Sequence, residues 1–131
     1  MPLNRKKIEN SLRHSLPVRV FSSIDSTNNE AKRRAADDGG RYVLYAADSQ
    51  SAGRGRRGHS FYSPASGLYM TLRLPVRGAD DPVQLLTCAA AVAVCEAIGE
   101  LTALSPSVKW VKRSRVISVQ SSFRASSVMP L

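Results

Sequence analysis

Tyr42-Val43-Leu44-Tyr45-Ala46-Ala47-Asp48-Ser49-Gln50-Ser51-Ala52-Gly53-Arg54-Gly55-Arg56-Arg57-Gly58 runs from an apolar segment into a loop in which glycine and arginine alternate. A short apolar run bounded by turn residues reads as a buried strand. The glycines then free the backbone for positive-φ turns and for close approach to a ligand. Backbone N–H groups and guanidinium forks are donors for phosphate or carboxylate. A strand feeding such a loop is therefore a candidate anion cradle. A solvated basic loop, or an RGG-like segment that touches nucleic acid, is the competing reading.

Working outward, residues 4–16 place Ile8, Leu12 and Leu16 at a four-residue period, which predicts a short amphipathic helix ended by Pro17. Val18 to Ile24 reads as a strand. Thr27-Asn28-Asn29-Glu30 fits a capping box, in which Thr27 and Glu30 satisfy each other's backbone N–H. The helix it opens is expected to run to about Asp38 and stop at Gly39-Gly40. Beyond the loop, Leu68, Met70, Leu72 and Leu74 share one face of a strand, and Tyr69, Thr71 and Arg73 share the other. Asp81 and Pro82 are the predicted N-cap and first position of an Ala-rich helix reaching about Leu101. Its apolar residues wrap most of the surface, which predicts burial. Ser107–Val111 reads as the start of a further strand. No internal repeat is present.

At 131 residues the chain has the length of one domain or part of one. No apolar run reaches the length of a membrane span. Arg5, Lys6 and Lys7 are not followed by an apolar signal region, so a cytoplasmic location is expected. The net charge of +9 is divided unevenly: residues 112–131 contribute +4, and residues 1–111 only +5. Aromatic residues are not interleaved with the basic ones as a nucleic-acid stacking platform requires. Cys88 and Cys95 lie about 10.5 Å apart along a helix axis, too far for a disulfide. No Cys/His cluster supports a metal site, and His14 and His59 are isolated.

Four further motifs stand in order around the loop: Ser26-Thr27-Asn28, then Phe61-Tyr62-Ser63-Pro64, Gly67-Leu68-Tyr69-Met70-Thr71-Leu72 and Val108-Lys109-Trp110. Together with Gln50 to Gly58 they resemble the biotin–protein ligases, over about residues 18 to 111. The resemblance implies an α+β fold, a partial mixed sheet with packed helices, of the kind shared with class II aminoacyl-tRNA synthetases. It implies an enzyme that joins biotin to ATP as biotinyl-5′-adenylate and transfers biotin to a lysine of a carboxyl carrier domain. Biotin and ATP are then the substrates, with Mg2+ expected alongside ATP.

By the same resemblance Arg54 and Arg56 hold the carboxylate, the phosphate and the acyl-adenylate, and are the catalytic candidates. Ser26 and Gln50 match positions that bond the ureido ring, with Thr27, Asn28 and Gly55 beside them in an apolar pocket. For Ser26 to Asn28 a helix cap is the competing reading. Arg57, Phe61, Lys109 and Trp110 are the ATP candidates: Phe61 to stack on adenine, Lys109 to contact phosphate. Against these stand a solvated Arg57, a core aromatic at Phe61 and an ordinary strand pair at Lys109-Trp110. Glycines 53, 55 and 58, without apolar anchors, predict a loop that is mobile until ligand binds.

The expected organisation is a helical lead over 1–17, an incomplete catalytic domain over 18–111 and a tail over 112–131. The tail has six serines, four basic residues, no acid and no glycine, a composition that predicts disorder. Where related ligases continue from Lys-Trp into Asn-Asp, this chain has Lys112-Arg113. That departure implies a truncated or frame-shifted copy, unable to complete the ligase reaction. With about seventeen residues before the first strand, no DNA-binding helix-turn-helix is expected, and no membrane partner. A lipoate–protein ligase, a non-catalytic biotin-binding fragment and a basic RNA-binding segment are the alternatives.

Overall fold

The computed structural model describes residues 2–75 and 83–108, with the Arg56, Val83 and Gln84 side chains left aside. The chain divides into two compact units, Met1–Val76 and Arg77–Leu131. The first is built from α1 (Arg5–Ser11), β1 (Val18–Phe21), α2 (Thr27–Arg33), β2 (Val43–Ala47) and β3 (Tyr69–Arg73). The second contains α3 (Val83–Leu101).

The three strands form one mixed sheet in the order β1-β2-β3. β1 and β2 are parallel, with Val18 opposite Leu44 and Phe21 opposite Ala47. Parallel neighbours need a crossover, which α2 supplies. β2 and β3 are antiparallel, with Tyr45 opposite Thr71. The mixed sheet with packed helices is the α+β architecture that the motifs imply. Its core is Val18, Val43, Tyr45, Ala46 and Ala47 from the strands, with Ala31 from α2. Central strand β2 is almost wholly buried, as its apolar run predicts.

Several elements differ from expectation. Helix α1 ends at Ser11, because Leu12 turns extended after its N–H bonds Glu9. Its N-cap is Asn4, whose side chain accepts from the Lys7 N–H. Strand β1 stops at Phe21, and Ile24 makes only an isolated bridge to Gln50. The capping box does not form: Ser26 is the N-cap of α2 and makes no side-chain capping bond. Glu30 is drawn to Arg33 and Arg34, which offer charge-assisted bonds stronger than a backbone N–H. The helix ends at Arg33, and the chain continues through turns to Gly39 and Gly40, both at positive φ.

Strand β3 turns its less apolar face to α2. Thr71 bonds Asn28, and Arg73 bonds the Ala35 carbonyl at 2.9 Å. Met70 and Leu72, on the opposite face, are half exposed. Helix α3 is not the buried helix expected: Leu85, Leu86, Val92 and Leu101 are exposed, and among its described residues only Ala91 is buried. Among the described residues of its unit there is no second element to cover it. Asp81, Pro82 and residues 109–131, with the expected N-cap, strand and disordered tail, lie outside the described residues.

One buried carboxylate ties the sheet together. Asp38 accepts from Arg19 Nη2 of β1 at 2.7 Å and from the Tyr45 hydroxyl of β2, with Arg73 of β3 at 3.5 Å. The Tyr45 hydroxyl, then Arg19, holds this carboxyl below the usual range. Burial and the neighbouring carboxylate push the Tyr45 phenol up. A buried charge persists only where it is paired in this way.

Candidate functional site

The carboxyl ends of β1 and β2 carry the residues that the motifs single out. Backbone pairing continues past both strands: Ile24 donates to the Ser49 carbonyl, and Ser51 and Ala52 donate to those of Ile24 and Asp25. Gln50 is bridged on one side to Ile24 and on the other to Ser63. This extension carries Gln50 to the start of α2. There its Oε1 accepts from the Thr27 N–H at 2.9 Å and lies 3.2 Å from Thr27 Oγ1.

Gln50 Nε2 donates to Ser63 Oγ at 3.3 Å, and Ser63 Oγ donates to the Phe61 carbonyl at 3.1 Å. Because the Thr27 N–H can only donate, the Gln50 amide is oriented with oxygen to α2 and nitrogen to the loop. Ser26, Thr27 and Ser63 are buried, Gln50 is half-buried and Asn28 is exposed. Thr71 Oγ1 reaches Thr27 Oγ1 at 2.9 Å and Asn28 Oδ1 at 2.8 Å.

The Gly/Arg stretch is a closed hairpin rather than an open loop. Arg54 bridges Ser60, Gly55 N–H bonds the His59 carbonyl at 2.7 Å, and Phe61 N–H bonds the Gly53 carbonyl at 2.8 Å. Its tip is the turn Arg56–Gly58, in which Arg57 and Gly58 take positive φ of 56° and 79°. The glycines divide the work: Gly58 supplies the turn, whereas Gly53 supplies proximity. A Cβ on Gly53 would stand 2.5 Å from Ser63 Oγ and 2.6 Å from the Phe61 carbonyl. Phe61 anchors the base of the hairpin, half-buried, so the expectation of a loop without apolar anchors is corrected.

Arg54 and Arg57 are exposed on this hairpin, and Arg56 lies in its tip turn. Lys109 and Trp110 fall outside the described residues. Beside the site, Asp25 takes a bidentate bond from Arg33. That bond, with Asn29 and the Ser26 N–H, holds the Asp25 carboxyl well below the usual range. A cavity of about 200 Å³ lies at the opposite ends of β1 and β2, lined by Arg5, Pro17, Val18, Arg19, Asp38, Arg41 and Val43. Its place and its arginines differ from the apolar pocket expected at Ser26 and Gln50.

The structure thus brings Thr27, Asn28 and Gln50 into one hydrogen-bonded group and sets the hairpin against it. Ser63 and Thr71 belong to that group although the sequence reading gave them no role. Ser63 could have been found as the residue of the Ser-Pro motif. For Thr71 the available signal was a hydroxyl on the less apolar face of β3.

A model described as the Biotin/lipoate A/B protein ligase family matches residues 20–120. The Bifunctional ligase/repressor BirA of Bacillus subtilis (strain 168) is 37% identical over 95 residues, which cover 70% of this chain and 27% of the relative. The Biotin--[acetyl-CoA-carboxylase] ligase of Mycobacterium tuberculosis (strain ATCC 25618 / H37Rv) is 36% identical over 101 residues, covering 70% of this chain and 36% of that protein. The chain therefore spans about a quarter to a third of the curated relatives it matches. Among solved structures, Leishmania major biotin protein ligase in complex with biotinyl-5-AMP superimposes with a TM-score of 0.62 at 28% identity, covering 67% of this chain and 36% of the other. The Helicobacter pylori biotin acetyl coenzyme A carboxylase synthetase with bound biotinylated ATP gives 0.56 at 27% identity, covering 66% and 43%.

Proposed function

Because this chain belongs to the biotin/lipoate A/B protein ligase family, we propose that the group around Gln50 and the Gly/Arg hairpin bind biotin and its adenylate. The reaction they serve is ATP-dependent biotin–protein ligation. The biotin carboxylate attacks the α-phosphate of ATP to give biotinyl-5′-AMP and pyrophosphate, and a lysine of a carboxyl carrier domain then displaces AMP. The observation that supports this reading most directly is the convergence of Ser26, Thr27 and Gln50 beside Gly53, where the backbone approaches too closely for any side chain.

The protein's share of the chemistry follows from charge. A carboxylate nears a polyanion as it attacks, and cations fixed beside it offset that repulsion and stabilise the transition state. Arg54 and Arg56 are assigned this role, since guanidinium stays charged and binds oxyanions in a fork. Arg57, Phe61, Lys109 and Trp110 are assigned to ATP and the adenylate. Ser26, Thr27, Asn28 and Gln50 are assigned to the ureido end, and Gly55 lets the hairpin backbone come close. Among the described residues no three carboxylate, His or Cys side chains converge. They offer no cage of three such ligands, and an ion arriving with ATP would be carried chiefly by its phosphates. Among the described residues no helix is long and apolar enough to cross a membrane.

Calorimetric titration of the 131-residue chain with biotin, lipoate and an RNA oligonucleotide tests the binding half. Heat with biotin alone, weakened by Gln50→Ala, is expected. Lipoate or RNA binding in its place would transfer the assignment to the other reading. Mass spectrometry of a carrier domain after incubation with chain, biotin and ATP tests transfer.

A further inference from the structure

The hydroxyls behind Gln50 carry fewer protons than their contacts need. Thr27 Oγ1 lies 3.2 Å from Gln50 Oε1 and 2.9 Å from Thr71 Oγ1, which lies 2.8 Å from Asn28 Oδ1. Each hydroxyl has one proton, and the two amide oxygens can only accept. Three O···O contacts therefore share two protons: donation from Thr27 to Gln50 together with Thr71 to Asn28 would leave the two hydroxyl oxygens 2.9 Å apart with no proton between them, and two arrangements keep that contact bonded. In one, Thr71 donates to Asn28 and Thr27 donates to Thr71; Gln50 Oε1 then has only the Thr27 N–H and keeps a lone pair open. In the other, Thr71 donates to Thr27 and Thr27 donates to Gln50; Oε1 is filled and Asn28 Oδ1 is released.

Gln50 Nε2 has two protons, and one goes to Ser63 Oγ at 3.3 Å. In the first arrangement Gln50 therefore presents one N–H and one lone pair outward. In the second it presents an N–H alone. We propose that Thr71 is a positioning residue that sets the hydrogen-bonding polarity of Gln50. By taking the Thr27 proton it leaves Gln50 able to accept as well as donate, which suits a ligand bearing an N–H beside a C=O, as a cyclic urea does. Asn28 holds this arrangement in place by accepting the Thr71 proton.

The ligand part of this inference rests on the biotin reading; the role of Thr71 does not. Thr71→Val keeps shape and strand preference but leaves the Thr27 hydroxyl with Gln50 as its one remaining acceptor in the row. Thr71→Ser keeps the hydroxyl. The Gln50 side-chain amide resonances of isotope-labelled, ligand-free chain read the effect directly. Thr71→Val should move them and Thr71→Ser should leave them in place. In a biotin titration the valine variant should bind about five-fold more weakly, the loss of one neutral hydrogen bond, and the serine variant as the parent does. Unmoved Gln50 resonances in Thr71→Val, or equal movement in Thr71→Ser, would overturn the role of Thr71. Absence of biotin binding by the parent would overturn the ligand instead, and the amide resonances would still decide on Thr71.

Discussion

Gly53→Ala isolates the proximity on which the hairpin depends. The added methyl would stand 2.5 Å from Ser63 Oγ and 2.6 Å from the Phe61 carbonyl, where ordinary contact begins at about 3.4 Å. Ser63 can swing away, but only by giving up its bonds to the Phe61 carbonyl and Gln50. Phe61 offers a backbone atom, so its arm of the hairpin must shift and strain the 2.8 Å bond from Phe61 N–H to the Gly53 carbonyl. Overpacking costs ~1–3 kcal/mol, and a lost neutral hydrogen bond about 1 kcal/mol, giving a destabilisation of about 2–4 kcal/mol. Gly58→Ala is the control. Its methyl would meet open space, so only the positive φ opposes it, at about 1–2 kcal/mol. Asparagine tolerates that conformation, so Gly58→Asn should recover most of the loss, whereas Gly53→Asn should recover none. Urea unfolding followed by circular dichroism reads all four variants. A Gly53→Ala protein within about 0.5 kcal/mol of the parent, the range of neutral surface changes, would refute the close-packed neck.

Asp38→Asn should cost about 3 kcal/mol, the lower end for breaking a buried pair, because Arg19 and Arg73 keep some solvent; thermal melts measure it. The depressed carboxyl of Asp38 stabilises the fold fully above its unfolded value near 3.9, and that contribution disappears as pH falls through the lower folded value. Unfolding free energy should therefore hold from pH 7 to about 5 and drop below about 4, a drop that Asp38→Asn reduces. Arg54→Ala and Arg56→Ala should each weaken binding of a non-hydrolysable biotinyl-adenylate analogue roughly ten-fold or more, as loss of a charge-assisted bond implies; equal affinity in a calorimeter counts against their role. In hydrogen exchange the Gly55 and Phe61 amides, which donate across the hairpin, should be protected while that of Arg57 in the tip turn exchanges faster.

Much of the sheet was legible because local pattern and tertiary role agree. The apolar run at 43–47 becomes the buried central strand, and Gly39-Gly40 becomes the positive-φ end of the turns after α2. The failures have a common origin in competition that no local window contains. Thr27 and Glu30 have the spacing of a capping box, but Gln50 takes the Thr27 N–H, and Arg33 and Arg34 take Glu30. The glycines promised flexibility, and the carbonyls of Gly53 and His59 close the loop instead. Of the site, the motifs identified Thr27, Asn28 and Gln50, which do converge. They gave no sign of Asp38, whose partners come from three strands.

That buried aspartate also bears on how the chain is made. Helix α2, β1 and β2 all leave the ribosome before Arg73, yet Asp38 at the end of the α2 turns has its second cation on β3. Roughly thirty-five residues separate Asp38 from Arg73, on the order of two to seven seconds of synthesis. During that interval the nascent sheet can offer Asp38 the Arg19 guanidinium and the Tyr45 hydroxyl but not Arg73. The β1–α2–β2 stretch thus emerges with every group needed to pair its buried carboxylate, and β3 adds a second cation to an ion pair that does not wait for it.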